Sequence, residues 1–524
     1  MISIIENFFI ELQSFVVLTS TSYAKNLNYN GSLESQLYIR LFMSVYNVCA
    51  FIIFLTFIIN IVFDLFFKKV KYISNIVKYF NIFSINIILL ILFYKIYITL
   101  KLETSSGISF YTLKKEFFTL NNNLGILEHF VVITSSFSDS VLILSILVGI
   151  VCIDLLGSKN LLTSLSNLSI FYFFNFFILL MVTTNNLLLM FISFEFIFLP
   201  TAYFAYTTGY SKKTDIASKA LIYWTFFGSF LVLCNLGYLY YKFNTLNWLF
   251  LTDKYYSKNE TFFLYLNFLV GFGIKIPLAP FHYWLLKVHV ESPTAFSIYL
   301  SGFLVKSALY CIYMFLLIFN NNDYYLSLSI WVMYGLIVST VGLSRQVDIK
   351  KLIAWATVQE MTFMVFFLTL KQFFLLHTCI IFVMLHSLMS TYMFYIVDIL
   401  QRRFKTRSYF YITGLNLYFP GISRYIWYLV LLFSGFPLTV KFFLEWNVIL
   451  MLLSTKKFIL LILLMSLNFI GIIYFCKIMF SILYGSSNLL SEEIEIQDIN
   501  KKEKIILNTT LLYILLLFLL VFAI

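Results

Sequence analysis

Of the 524 residues, 61% are hydrophobic and only 11% carry a charged side chain, against roughly a quarter charged in a soluble domain. No water-soluble core absorbs that much apolar surface, so the several soluble domains that length alone would suggest are excluded in favour of one membrane domain. The net charge of +12 does not mark a nucleic-acid binder, because the basic residues sit in short connections between apolar runs and not on one exposed face. Retention on one side of a membrane accounts for them.

The chain opens on MISIIENFFIELQSF, which carries acids and lacks both a basic n-region and a small-residue cleavage site. It is therefore not expected to be a cleaved secretory signal or an Arg-rich transit peptide. A protein made inside an organelle fits, as does the surplus of Phe, Tyr, Ile, Asn and Lys over Gly and Pro, a bias that AT-rich coding produces. Residues 1–40 are expected to form an N-terminal extension.

Beyond it, apolar runs of about 20 residues, each long enough to cross a bilayer as a helix, follow one another. They predict fourteen spans at 41–66, 80–100, 130–154, 166–186, 187–207, 218–242, 262–281, 296–319, 324–343, 352–371, 373–398, 427–453, 457–484 and 505–524. The odd-numbered connections hold Lys68, Lys69, Lys71, Lys78, Lys212, Lys213, Lys219, Arg345, Lys350, Lys351, Arg402, Arg403, Lys405, Arg407, Lys501, Lys502 and Lys504. In the even ones the largest cluster is Lys101, Lys114 and Lys115, so the odd connections are expected on the matrix or cytoplasmic side. The most hydrophilic stretch, 491–504, is expected to be a loop.

Two spans are interrupted. Gly271, Gly273, Pro277 and Pro280 fall within the seventh, Gly435 and Pro437 within the twelfth. Proline removes a backbone donor and clashes with the preceding turn, and broken backbone at membrane depth is tolerated only against protein or a wet cavity. Breaks five spans apart imply two related halves, as in transporters. The expected fold is thus an all-α polytopic membrane protein: helices 1–3 in residues 41–154, two inverted five-helix repeats in 155–322 and 323–490, and a polar loop with helix 14 in 491–524.

Inside the spans lie charges that lipid disfavours. Glu195, Lys275, Lys306 and Glu445 each cost about 2.5–3.5 kcal/mol on insertion scales. Ion pairs that merely hold helices together are the plainer explanation, but desolvation makes such pairs poor stabilisers. A proton relay is the functional reading, since burial brings carboxylates and lysines toward the range in which protons exchange. His386, mid-span beside Ser387, Ser390 and Thr391, is the natural intermediary, while His377 is equally well structural. Glu360 adds a carboxylate, and Lys441, one turn before Glu445, is either a relay member or a local counter-ion.

Other chemistries find no motif. Cys49, Cys152, Cys234, Cys311, Cys379 and Cys476 stand singly, without the close pairs of zinc, iron–sulfur or disulfide frameworks. His282, His289 and Glu291 lack metal-ligand spacing, and neither a Walker A loop nor a dinucleotide fingerprint is present.

The stretch from Ile274, IKIPLAPFHYWLLKVHVESPTAFSIYLSGFLVKSALY, resembles the signature of chain 4 of NADH:ubiquinone oxidoreductase (respiratory complex I). Further similar segments are FISFEFIFLP around Glu195, SRQVDIKKLIAWATV from Ser344, His386-Ser387-Leu388, and GFPLTVKFFLEW ending at Glu445. The HVExP form and the acid of the twelfth span favour chain 4 over chains 2 and 5. The likeness covers about residues 130–480, leaving 1–40, 101–127 and 491–504 without counterparts.

That resemblance implies a proton-pumping, antiporter-like subunit of the mitochondrial inner membrane, coupling NADH oxidation and ubiquinone reduction to proton translocation. Its membrane-arm partners would include chains 2 and 5. NADH, FMN, iron–sulfur clusters and ubiquinone would be held by other subunits, with no cofactor or metal on this chain. It also implies a relay of Glu195, Lys275, Lys306, His386 and Glu445. Gln359-Glu360 stands where the family has a Ser-His pair, Lys441 where it has Asn and Leu286 where it has Pro, so Glu360 is expected to replace an imidazole. Two rivals are a subunit of a cation/proton antiporter and a non-pumping assembly scaffold.

Overall fold

The computed structural model describes part of 140–152, then 166–208, 213–252, 254–319, 325–369, 373–486 and 498–523. The spans expected at 41–66 and 80–100, the extension 1–40 and the segment 101–127 lie outside the described residues. Two compact units make up the chain: Met1–Ile146 with Leu162–Asn185, and Leu147–Leu161 with Asn186–Ile524. The first contributes helix α1 (Ser166–Thr183), apolar almost throughout.

In the second unit the apolar runs form helices, because a helix satisfies its own backbone polar groups where water is absent. Among the described residues there are isolated bridges but no strands. Among the described residues, five helices are long and apolar enough to cross a membrane: Lys213–Phe243 (α3), Thr294–Ile318, Ile349–Thr369 (α10), Thr378–Phe404 and Phe458–Tyr484 (α15). Their burial differs. α10 is covered along its whole length, as expected of a helix apolar on every side. α3 instead presents Tyr223, Phe226, Phe230 and Tyr241 outward, and α15 presents Ile459, Ile462 and Phe469. Core and periphery are thus set by position in the bundle and not by hydropathy.

α2 (Leu187–Thr208) and α5 (Lys258–Lys275) pack on α3. The α3–α5 contact is a backbone approach: a Cβ on Gly228 would stand 2.5 Å from the Gly271 carbonyl oxygen. At the far end of α3, Lys242 pairs with Glu260 at 2.6 Å, and that hydrogen bond chiefly holds the Glu260 carboxyl down to about 2. The short α4 (Trp248–Thr252) connects the two helices.

Both predicted breaks are real. α5 stops at Lys275, and α6 (Tyr283–Glu291) resumes after the Pro-containing turn. The Ile274 carbonyl, deprived of a helical partner, accepts from the Trp284 indole at 2.8 Å. α7 (Thr294–Tyr299) runs through a π-turn, Leu300–Leu304, into α8 (Val305–Ile318), a widening not expected from the residue pattern. α9 (Tyr325–Ser344), α10 and α11 (Phe373–Phe404) follow.

The span expected at 427–453 is two half-helices, α13 (Pro420–Ser434) and α14 (Val440–Ser454), preceded by the turn α12 (Leu415–Tyr418). It starts early because Pro420 suits a first helical position and Asp498 caps the Gly421 and Ile422 amides at 2.7 and 3.2 Å. Gly435 closes α13 with φ +62°, a left-handed cap that favours glycine.

The connections group by parity. Lys350 Nζ donates to the Ser292 carbonyl at 2.5 Å, Arg407 to the Val290 carbonyl at 2.6 Å, and Arg403 to Glu503 at 2.6 Å. All of these lie at odd-numbered connections. Asn186 and Asn247, from even ones, bridge to each other. Two expectations need correction here. Lys350, read as a loop cation, is buried, because α10 begins at Ile349 and turns it inward. The loop 491–504 ends early: α16 (Lys501–Ala523) starts where the Asn500 amide finds Glu503 at 3.1 Å.

Candidate functional site

The ionisable residues that the sequence places inside the spans fall, among the described residues of the second unit, into three groups. In the first, Lys275, the last residue of α5 and fully buried, donates to the Glu195 carboxylate of α2. Ser229 of α3 donates to the same oxygen at 2.9 Å. The ammonium also stands over the rings of Phe194 and Phe198, 4.4 and 5.1 Å from their centroids, an attraction that desolvation strengthens. A cation at the end of α5 complements the negative end of the helix dipole. The break therefore both exposes carbonyl groups and supplies the charge that suits them.

Lys306, at the start of α8, touches no carboxylate among the described residues. The π-turn offers it the Ser301 carbonyl, which accepts from its ammonium; such turns occur preferentially at functional sites. His289, His386 and Glu360 lie within Coulombic range of it.

In the third cluster Lys441 of α14 is buried and donates to Glu360 of α10 at 2.6 Å and to the Phe433 carbonyl at 2.7 Å. Glu445, one turn further along, is 3.7 Å from the same ammonium and accepts from Asn468 at 2.8 Å. Gly435 makes room for it: a Cβ there would stand 3.2 Å from Glu445 Oε2. The second break thus repeats the first in setting a lysine against a carboxylate at the end of a half-helix, and differs in that Lys441 also takes the Phe433 carbonyl.

His386 lies on α11, within Coulombic range of both Lys306 and Lys441, and its Nδ1 has no hydrogen-bond partner. Ser387, Ser390 and Thr391 donate back to carbonyls of their own helix at 3.1, 2.9 and 2.7 Å, not to the ring. No hydrogen bond or ion pair among the described residues joins Lys275 to Lys306. α8, which carries Lys306, also carries Cys311, within Coulombic range of Lys275. The side chain of His377 lies outside those described. His282 packs on Trp355 and His289 on Phe394, at 5.0 and 4.9 Å between centroids, so those two rings do not converge.

Some functional candidates were missed. Ser229 and Asn468, single polar residues on apolar helices, orient the two glutamates. Asp398, 2% exposed, accepts from Thr294 and pairs with Arg402 at 2.8 Å. Lone polar residues inside apolar runs were the available signal for Asn468; for Lys350 there was none, because a helix buried all round has no polar face against which to orient it.

The profile of a family described as the NADH:quinone oxidoreductase/Mrp antiporter transmembrane domain matches residues 184–471, more than half of the chain and the part that holds all three clusters. The chain belongs to this family. Within it, NADH-ubiquinone oxidoreductase chain 4 of Paramecium tetraurelia is 35% identical over 60% of this chain and 66% of its own length. Chain 4 of Acanthamoeba castellanii is 30% identical over 52% and 55%. The chain thus spans between about half and two thirds of these relatives. A subunit of respiratory complex I from Thermus thermophilus superposes with a TM-score of 0.66 at 16% identity, over 89% of this chain and 97% of that one, which establishes a shared fold.

Proposed function

We propose that the chain is a chain 4-type, proton-translocating membrane-arm subunit of mitochondrial NADH:ubiquinone oxidoreductase. The observation that carries this reading is the burial, inside one apolar bundle, of Lys275 against a half-buried Glu195, of Lys306, and of the Glu360–Lys441–Glu445 group. Pairing lowers the cost of each charge but does not remove it, since polar contacts between membrane helices contribute well under 2 kcal/mol on average.

In this reading a proton passes along Glu195, Lys275, Lys306, His386 and Glu445, with Glu360 and Lys441 completing the step between Lys306 and Glu445. The gap between Lys275 and Lys306 is crossed through water. Moving one charge against the membrane potential costs about 2.3 kcal/mol per 100 mV, which redistribution of a proton between paired groups can gate. The bundle would comprise fourteen helices in the inner membrane: three leading helices in 41–154, inverted repeats in 155–322 and 323–490, and helix 14 in 491–524, with odd-numbered connections toward the matrix. Chains 2 and 5 would adjoin it, and NADH, FMN, iron–sulfur clusters and ubiquinone would be bound by other subunits. The names of the relatives and the matching fold support this assignment.

Glu195→Gln tests it. The isosteric amide retains the contacts to Ser229 and Lys275 while losing the titratable group. Proton uptake coupled to NADH oxidation in isolated membranes should fall by about an order of magnitude or more while the assembled complex persists. Unchanged pumping in a normally assembled complex would exclude the relay.

A further inference from the structure

The two helix breaks hold charges at matching positions but in unequal number. Lys275 stands 80 residues beyond Glu195, and Lys441 stands 81 beyond Glu360. Both lysines are buried, and each ammonium lies 4.4 Å from the centroid of a phenylalanine ring, Phe194 for Lys275 and Phe433 for Lys441. The first group closes with one acid and one base. The second adds Glu445, whose carboxylate is 3.7 Å from the same ammonium.

Charge counting then constrains the second group. Glu360, Lys441 and Glu445 are 3%, 1% and 8% exposed, so a net charge there is held out of water, which burial penalises heavily. Lys441 is kept as an ammonium by Glu360 at 2.6 Å, by the Phe433 carbonyl at 2.7 Å and by the Phe433 ring. Two ionised acids about one ammonium leave a net negative charge, whereas two acids that share a single proton leave none. Carboxylates that share a site lose their protons one at a time. The two acids also face different neighbours. Glu360 lies within Coulombic range of Lys306, while Glu445 accepts from Asn468 of α15 at 2.8 Å. Gly435 leaves room beside both movable side chains: a Cβ there would stand 3.2 Å from Glu445 Oε2 and 3.6 Å from Lys441 Cγ.

We infer that Glu360 and Glu445 store one proton between them and that Lys441 is the switch that selects which acid holds it. This rests on the proposed relay, which delivers protons to Glu360. With Lys441 on Glu360, as in the structure, the stored proton sits on Glu445. A proton arriving along the relay from Lys306 forms an O–H bond on Glu360. Lys441, deprived of that counter-ion, closes the 3.7 Å gap to Glu445, whose own O–H bond breaks as its proton leaves toward α15. As the ammonium swings back, the proton on Glu360 crosses to Glu445 and the starting arrangement is restored. One proton enters and one leaves, the charge of the group is unchanged and no electrons move. Asn468 is a positioning residue that holds Glu445 while the ammonium is away.

The test uses membranes that contain the assembled chain, with proton uptake and NADH oxidation measured together so that protons per electron pair are read directly. Glu360→Gln and Glu445→Gln each leave one acid with one ammonium, a neutral group with no proton to store. Each should lower the ratio by about tenfold, the scale of a lost proton carrier, in a complex that still assembles. Glu360→Asp, which keeps a carboxyl, should retain most of the ratio. An unchanged ratio in either glutamine variant, or an aspartate variant as impaired as Glu360→Gln, would overturn the inference. Lys441→Arg keeps the cation, but its planar fork can hold both carboxylates at once, so the ratio should fall with the amount of complex near wild type. A lysine that is only a counter-ion predicts a normal ratio in that variant, which would overturn the switch and which decides the matter if the glutamine variants do not assemble. Glu195→Gln separates the two readings. Its loss of pumping alongside normal pumping by both glutamine variants at Glu360 and Glu445 removes only the proton store, whereas normal pumping by Glu195→Gln removes the relay as well.

Discussion

Lys441 is held between two carboxylates that would otherwise face each other, Glu360 at 2.6 Å and Glu445 at 3.7 Å, in a place almost closed to solvent. Removing one member of a buried charge group leaves an uncompensated charge and costs about 3–5 kcal/mol. The two possible deletions are unequal. Glu360→Gln leaves the ammonium with Glu445 and the Phe433 carbonyl, whereas Lys441→Met leaves two acids and no cation. Lys441→Met should therefore deplete the folded chain strongly, Glu360→Gln mildly, and the double variant should recover much of the loss, as contacting residues couple in a double-mutant cycle. Quantifying chain abundance on native gels checks this; equal losses for both single variants would mean that Lys441 is not the counter-ion of the pair. The sequence placed Lys441 and Glu445 one turn apart but could not tell that the nearer partner comes from α10, because that contact spans 81 residues. His386, Lys306 and Glu195 were legible because an ionisable residue in an apolar run is costly wherever it ends up.

Among the elements, α3 and α5 bring Ser229 and Lys275 onto Glu195 by approaching at two glycines. A Cβ at Gly271 would stand 2.7 Å from Val232 Cγ2 and 3.0 Å from the Gly228 carbonyl oxygen, so neither glycine accepts a side chain unless the helices separate. Small residues are what permit such approaches between membrane helices. Gly228→Val should cost at least about 1–3 kcal/mol, as overpacking does, and should shift Lys275 off Glu195. Its pumping should therefore fall further than its abundance, whereas Gly237→Ala, with open space around its Cβ position, should alter neither; a tolerated Gly228→Val would show that the approach is not what sets the pair. Both helix breaks could be read from Gly and Pro positions, because those residues act on their own backbone. The π-turn at Leu300–Leu304 and the inward turn of Lys350 could not. The first has no residue signature, and the second depends on which face of a wholly buried helix meets the end of α6 at Ser292.

At the scale of the whole molecule, the charged interior bears on the three functional classes and the apolar exterior does not. An exterior of Tyr, Phe and Ile on α3 and α15 suits lipid or neighbouring subunits equally, so surface chemistry does not distinguish a complex I subunit from an antiporter or a scaffold. The interior does, because a scaffold gains nothing from Glu195, Lys306 and Glu445 that Leu would not supply at lower cost. Family membership cannot separate pump from antiporter either, since one profile spans both. Association decides between them. In membranes solubilised with a mild detergent, the chain should comigrate on a native gel with a band that oxidises NADH. Migration in a smaller assembly without that activity would favour the antiporter. Comigration combined with unaltered turnover in a Glu195→Gln, Lys306→Met double variant would favour the scaffold. The pump alone requires both that the chain travel with NADH oxidation and that neutralising its buried charges uncouple that oxidation from proton movement.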